Sequence, residues 1–294
     1  MPVSSYASVP GLPAPQRTVV MGVVNVTPDS FSDGGDWFDH AAAIEHGRAL
    51  IAEGADIVDV GGESTRPGAI RVDESEERRR VLPVITALAD EPAVREGTVA
   101  ISVDTMRSAI ARAAVDAGAR LINDISGGQA DQAMIPTAAE LCCAYVLMHW
   151  RGHSVDMQTR AHYDDVAVDV RDELSRQIDA AVTAGVDPER LVLDPGFGFA
   201  KTGEHNWELL QRLDVLRPLG HPLLLGLSRK RFLGTLLADE DGTARPAKGR
   251  DDASAALTGW AAQNRIWGVR VHTVRPHRDT VAVMERLRPY RSLL

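Results

Sequence analysis

Val19-Val20-Met21-Gly22-Val23-Val24 runs without a polar break into Asn25. An apolar run that does not alternate suits a strand covered on both faces, as in a parallel sheet. Seven further runs of this kind follow: Asp56–Val60, Val99–Val103, Arg120–Ile122, Ala144–Met148, Leu191–Leu193, Pro222–Leu227 and Val269–Val271. Alanine-rich, charged stretches with helical spacing lie between them, among them His40–Glu53, Glu74–Leu88, Arg107–Ala117, Tyr163–Ala184 and Asp252–Gln263. Strand and helix alternating eight times predict an α/β protein, a single-domain (β/α)8 TIM barrel. A doubly wound open sheet is the rival, but no glycine-rich dinucleotide fingerprint follows the first run.

The rest of the chain fits one large domain. Its 294 residues carry 41 acidic and 32 basic side chains, a net charge of −9 that argues against a nucleic-acid surface. No apolar run is long enough to span a membrane. Cys142 and Cys143 are adjacent, which offers neither a disulfide framework nor metal-ligand spacing, and a reducing cytoplasm is the expected compartment. Residues 1–17 hold Pro2, Pro10, Pro13 and Pro15 and are expected to form a flexible tail, with the barrel taking residues 18–294. Ala238–Gly249 is the expected exposed excursion.

Chemistry in such barrels gathers at the carboxyl ends of the strands. Here those ends carry Asn25, Gly61–Pro67, Asp104, Asn123-Asp124, His149, Asp194-Pro195-Gly196, Ser228–Arg231, and Arg270 with His272. Strand ends are often polar simply because they meet solvent. Carboxylates, amides and cations at all eight ends together favour a convergent site. All five phenylalanines, Phe31, Phe38, Phe197, Phe199 and Phe232, fall in or just after these loops, as do Trp37 and Trp150. Aromatics outside the expected core suit a flat, π-rich ligand, although loop anchoring is the simpler reading for Phe38 and Phe232. In an acidic chain, Arg66, Arg229, Lys230, Arg231, Arg270 and His272 share one expected face, which suits phosphate or carboxylate groups.

Weaker constellations have simpler readings. His149 and His153 have metal-ligand spacing but no obvious third partner. Asp251-Asp252 reads as a helix start. Glu76–Arg80 reads as a solvated helix face. No Gly-x-Ser-x-Gly, Walker loop or His-Glu-x-x-His is present.

Taken together, the strand-end segments resemble the dihydropteroate synthase family of pterin-binding enzymes. Asn25-Val26-Thr27-Pro28-Asp29-Ser30-Phe31-Ser32-Asp33-Gly34-Gly35 is similar to that family's first signature. Gly61–Gly68, Ser102–Thr105, Ile122–Asp124, Leu193–Lys201, Ser228–Phe232 and Arg270–His272 match later signatures in order, so the resemblance covers about residues 19–290. It implies a (β/α)8 barrel, a homodimer, small-molecule substrates, and the joining of a dihydropterin methyl diphosphate to p-aminobenzoate with release of pyrophosphate. It also implies a cytoplasmic folate-biosynthesis transferase that is a sulfonamide target.

Carried over position by position, the resemblance gives the pterin to Asp104, Asn123, Asp194 and Lys230, with Met148 and Gly226 lining its floor. A carboxylate such as Asp194 can accept two hydrogen bonds from an aminopyrimidinone edge. The pyrophosphate falls to Asn25, Thr65, Arg66, Arg270 and His272, with the Asn25 carbonyl as a hard ligand for Mg2+. The aminobenzoate falls to Phe31, Thr65, Arg66, Pro67, Phe199 and Arg231. The catalytic set is Asp104, Lys230, Arg270 and His272: Asp104 to stabilise a cationic pterin, Arg270 and His272 to stabilise the leaving anion. Two departures stand out. Thr273 occupies a position where the family often has Asp, so a contact to His272 is expected to be missing, and the loop His149–Arg160 is atypical. A corrinoid-dependent pterin methyltransferase would not need Asn25, Arg270 and His272. A non-catalytic pterin-binding paralogue would be expected to have lost Thr65-Arg66-Pro67. An aldolase would rest on Lys230 alone as a Schiff base.

Overall fold

The structure is a computed structural model and describes residues 6–27, 40–64, 71–152 and 157–287. Eight parallel strands lie in the order β6-β5-β4-β3-β2-β1-β8-β7. They are β1 (Val19–Asn25), β2 (Ile57–Gly61), β3 (Ala100–Asp104), β4 (Leu121–Asp124), β5 (Ala144–Met148), β6 (Leu191–Asp194), β7 (Leu224–Leu225) and β8 (Gly268–Val271). A bridge between Leu193 and Leu223 joins the two outer strands and closes the ring as a (β/α)8 barrel. The expected strands all form. The seventh is shorter than expected, because Pro222 has no N–H to donate and Gly226 weakly favours extended pairing.

Period-two alternation divides each strand between two environments. Val20, Val24, Val58, Val60, Ile101, Val103, Leu147 and Leu193 join the helices in one large core. Val19, Met21, Ile57, Ala100, Leu121, Ala144, Val192 and Leu224 form a second cluster inside the barrel, toward the strand starts. Val9, Leu12 and Trp267 belong to that inner cluster and plug its amino-terminal mouth. The expected loose tail therefore does not hold for residues 6–17. Burying Val9 and Leu12 contributes on the order of 1.5–3 kcal/mol each, and Arg17 adds a two-point ion pair to Asp56 at 2.7 Å.

The helical layer is as expected in the stretches named from sequence. In chain order the helices are α1 (His40–Ala52), α2 (Glu74–Ala89), α3 (Ser108–Asp116), a short α4 (Met134–Leu141) that was not among those stretches, and α5 (Val166–Thr183). Then come α6 (Gly203–Gln211), α7 (Arg231–Leu236), α8 (Asp251–Gln263) and α9 (Arg275–Leu287). The Asp73 side chain caps α2 by accepting from the Glu76 N–H. Glu76–Arg80 is only half a solvated face, contrary to the sequence reading. Glu77 and Arg80 are buried. Residues 239–249 are exposed, as expected for an excursion. Among the described residues no helix is long and apolar enough to cross a membrane.

Candidate active site

Nearer the carboxyl ends, the inward positions turn polar. Register sets Asp104 beside Asn123, Asp59 beside Ser102, and Met148 beside Asp194. Arg270 reaches across the barrel from β8. Its Nε donates to Asp59 Oδ2 and its Nη2 to Asp104 Oδ2, both at 2.6 Å. Asn123 Nδ2 donates to the same Asp59 oxygen at 3.0 Å. One guanidinium thus ties three strand ends together. The flanking carboxylates hold it protonated far above neutrality, against the cost of burial.

Asp104 lies in the opposite regime. Burial raises its carboxyl to about 7 against the pull of Arg270, and nearby Asp59 adds to the rise. Asp194 is also raised by burial, and the Gly196 N–H and Lys230 oppose that rise. Its Oδ1 accepts from Gly196 N at 2.7 Å. Gly226 leaves Oδ2 open: a Cβ built there would sit 3.7 Å from that oxygen. Lys230 Nζ rests 4.3 Å from the centre of the Phe199 ring, and burial lowers its ammonium to about 8 despite Asp194. Phe199 in turn packs with Trp150 against Met106, Ile125 and Met148. Asp104, Asn123, Met148, Asp194, Phe199, Gly226, Lys230 and Arg270 thereby come together at one end of the barrel.

His272 sits beside them as a neutral ring. Burial and then Arg270 lower it to about 3, so it serves as a hydrogen-bonding group, not a cation. Its Nδ1 lies 3.0 Å from Ser228 Oγ. His272 thus finds a side-chain partner in Ser228, while Thr273 Oγ1 is buried with no partner among the described residues. Asn25 ends β1 at the rim, half-buried.

Several readings change. Arg229 does not join the cationic face: its fork is closed on Asp251 at 2.6 and 2.7 Å, with a left-handed backbone at φ 58°. Asp251 is correspondingly more than a helix start. Phe197 is buried in the main core and faces no ligand, whereas Phe232 packs edge-on to Trp207, in line with the anchoring reading given for it. His149 is committed to Glu173 at 2.8 Å and Lys201 at 3.0 Å, which removes the zinc reading on its side. Arg231 is exposed at the start of α7. Phe31, Trp37, Phe38, Thr65, Arg66, Pro67 and His153 lie outside the described residues.

Sequence reasoning missed Asp59, Lys201 and Glu173. Asp59 was readable as the one charged residue inside the run Ile57-Val58-Asp59-Val60-Gly61. A charge placed inward among apolar neighbours is costly unless it has a partner. It also missed the cluster beneath the β2 loop. There Glu77 accepts from Thr105 Oγ1 at 2.5 Å, and Arg107 pairs with both Glu77 and Glu63.

The model of the pterin-binding enzyme family matches residues 21–272. Dihydropteroate synthase of Mycobacterium leprae is 53% identical over 266 residues, covering 90% of this chain and 92% of its own. A Xanthomonas albilineans dihydropteroate synthase solved with 4-aminobenzoic acid superposes with a TM-score of 0.83 at 44% identity, over 92% of this chain and 93% of that one. A Yersinia pestis dihydropteroate synthase solved with a sulfonamide gives a TM-score of 0.87 at 38% identity, over 97% and 99% of the two chains. The chain belongs to the pterin-binding enzyme family. Within it, the activity is that of the dihydropteroate synthases: a folate-biosynthesis transferase that forms 7,8-dihydropteroate and pyrophosphate from dihydropterin methyl diphosphate and p-aminobenzoate.

Proposed function

We propose that the strand-end set carries this condensation with a division of labour between a deep pterin pocket and an outer rim. The carrying observation is the Asp59–Arg270–Asp104 chain beside the open Oδ2 of Asp194. Asp194 accepts two hydrogen bonds from the aminopyrimidinone edge, Asn123 supplies a donor and an acceptor, and Lys230 donates to a ring nitrogen or carbonyl. Met148, Gly226 and Phe199 cover the ring faces.

The bond between the exocyclic methylene and the diphosphate oxygen breaks, and its electrons leave with pyrophosphate. Positive charge then spreads from the methylene into the pterin, where the ionised Asp104 stabilises it. The neutral aromatic amine supplies its lone pair to the methylene and loses a proton afterwards, so no nucleophile–base triad is required. The N–H groups that Arg270 has left after pairing with Asp59 and Asp104, with neutral His272, bind the departing anion. Asn25 and, from the β2 loop, Thr65 and Arg66 complete that anion site.

Asn25 offers one neutral oxygen, and among the described residues no cluster of three His, Cys, Asp or Glu could hold an ion alone. That donor set fits Mg2+ carried by the diphosphate, since this ion keeps most of its positions for water and phosphate oxygens. Its contribution would be to neutralise the leaving group. Phe31, Thr65, Arg66, Pro67, Phe199 and Arg231 are assigned to p-aminobenzoate, and a sulfonamide would compete for the same place. The working form is a cytoplasmic homodimer. Val283 and Leu287, exposed one turn apart on α9, support a surface that a second copy covers.

The test is pyrophosphate release from the pterin diphosphate with and without p-aminobenzoate. Release that depends on the amine supports the assignment, and release unaffected by Asp104→Asn overturns the role given to Asp104.

A further inference from the structure

Behind the pocket, outside the set assigned to substrate, lies a buried lysine. Lys201 follows the loop from β6 and is 3% exposed. Its Nζ lies 3.0 Å from His149 Nδ1, 3.1 Å from the Gly196 carbonyl and 3.4 Å from the Phe199 carbonyl. An ammonium has three N–H groups, and here three acceptors meet it. The count fixes the neighbouring protons. His149 must present a lone pair at Nδ1, so its hydrogen sits on Nε2 and is donated to Glu173 Oε2 at 2.8 Å. Glu173 is also gripped by Arg151, whose guanidinium stacks 3.9 Å from the centre of the Tyr163 ring. The Tyr163 hydroxyl donates to the Ala200 carbonyl at 3.0 Å.

The loop held this way carries pocket groups at both of its ends. The His149 N–H donates to the Asp194 carbonyl at 2.9 Å, and the Gly196 N–H donates to Asp194 Oδ1 at 2.7 Å. Gly196 has φ 72°, and a Cβ there would come within 2.4 Å of the His149 carbonyl oxygen, so the loop lies directly on the end of β5. At the other end, the Phe199 ring lies against Lys230.

We propose that Lys201 is a positioning residue: its three-point clamp on His149, Gly196 and Phe199 holds the Asp194 carboxylate and the Phe199 ring in register for the pterin. This rests on the pterin pocket assigned above. A neutral amine has two N–H groups for three acceptors, so losing one proton opens the clamp. Burial lowers Lys201 to about 7, with Asp194 and Glu173 opposing the fall and Arg151 and Lys230 adding to it. His149, lowered by burial and by Lys201 to about 4, and Tyr163, at 5.8 Å, complete the groups that face it. Neither changes charge between pH 6 and 9, since Tyr163 is raised by burial above that range. The sign follows: the clamp is whole below about 7 and weakens as pH rises through that value.

Calorimetric titration of dihydropterin methyl diphosphate into wild type and Lys201→Met, from pH 6 to pH 9, tests this. The wild type should bind about tenfold tighter at pH 6, one hydrogen bond to a charged group, and within about twofold at pH 9. The wild-type to variant ratio cancels the titration of Asp104, which both proteins share, and loss of the Lys201 charge moves Lys230 only upward, away from the step near 7. A ratio that stays constant with pH, or stays at one, overturns the proposal. If Lys201→Met does not fold, His149→Phe leaves two acceptors for the two N–H groups of the neutral amine. The wild-type to His149→Phe affinity ratio, in which Asp104 again cancels, should then change through pH 7, and a ratio that stays constant with pH overturns the proposal equally. Wild-type binding that Asp194→Asn weakens more than tenfold keeps the pocket assignment standing whichever way the clamp is decided.

Discussion

Asp59→Asn is the sharpest test of how Arg270 is held. Both donors to Asp59, Arg270 Nε and Asn123 Nδ2, meet the same oxygen, Oδ2, while Oδ1 is buried with no partner among the described residues. An asparagine can therefore keep its oxygen toward both donors and turn its amide nitrogen to the unpaired side. Ser102, the register neighbour on β3, has an Oγ that is likewise unpaired among the described residues. The substitution removes charge and little else. A hydrogen bond between charged groups contributes about 1.5–3 kcal/mol, and one between neutral groups about 0.5–1.5. The expected destabilisation is thus about 1–2 kcal/mol, read by urea denaturation. Asp104 responds in a definite direction. Asp59 raises the Asp104 carboxyl, so neutralising Asp59 lets it fall and moves the acid limb of the kcat profile to lower pH. Asp59→Leu, which strips both donors of their acceptor, should cost about 3–5 kcal/mol. An Asp59→Asn enzyme as stable as wild type, with its acid limb unmoved or moved upward, would refute the coupling.

Other outcomes follow from the same site. Asp194→Asn should weaken pterin binding by about 2–4 kcal/mol, because an amide presents one acceptor where the carboxylate presents two; affinity within threefold of wild type in direct titration would count against it. Under saturating substrates, kcat should rise with pH through about 7 as Asp104 ionises and fall through about 8 as Lys230 loses its proton; a flat profile from pH 6 to 9 contradicts both assignments. Lys230→Met should lower activity, and the wild type should form no borohydride-trapped adduct, which mass spectrometry can check. Arg66→Ala should raise the aminobenzoate KM with pterin affinity nearly unchanged; an equal loss for both substrates would place Arg66 elsewhere.

The strand ends were legible because a barrel imposes one rule eight times: an apolar run, then a turn, then a polar residue at the mouth. Asp59 escaped because that rule looks past the end of a run, and its charge sits inside one. The Glu76–Arg80 stretch misled for a related reason. Spacing through Glu77, Val81, Val84, Ile85 and Leu88 marks a single buried stripe, and its charged first member passes for solvent exposure. Burial of Glu77 becomes tolerable only through Thr105 and Arg107, about thirty positions away in sequence, which no local pattern reveals. Lys201 lay within a recognised segment, but its acceptors are backbone carbonyls and a ring nitrogen brought together by the fold. Residues 6–17 read as a tail because prolines conceal how two apolar side chains, Val9 and Leu12, can stop the barrel's end.

The short seventh strand gives the barrel a seam. β6 and β7 meet through the single Leu193–Leu223 bridge, with the Leu193 N–H donating to the Pro222 carbonyl at 2.8 Å. Every other neighbouring pair shares at least two registered positions. Asp194 stands on one side of this seam, and Gly226 and Lys230 follow on the other. A pterin held by Asp194 and Lys230 is then a rivet across the least stitched join of the ring. Amide exchange at Leu193 should slow on binding more than at strands β1 to β3, where backbone pairing already holds the wall. On the proposed pocket, the substrate is gripped by the barrel and also finishes building it.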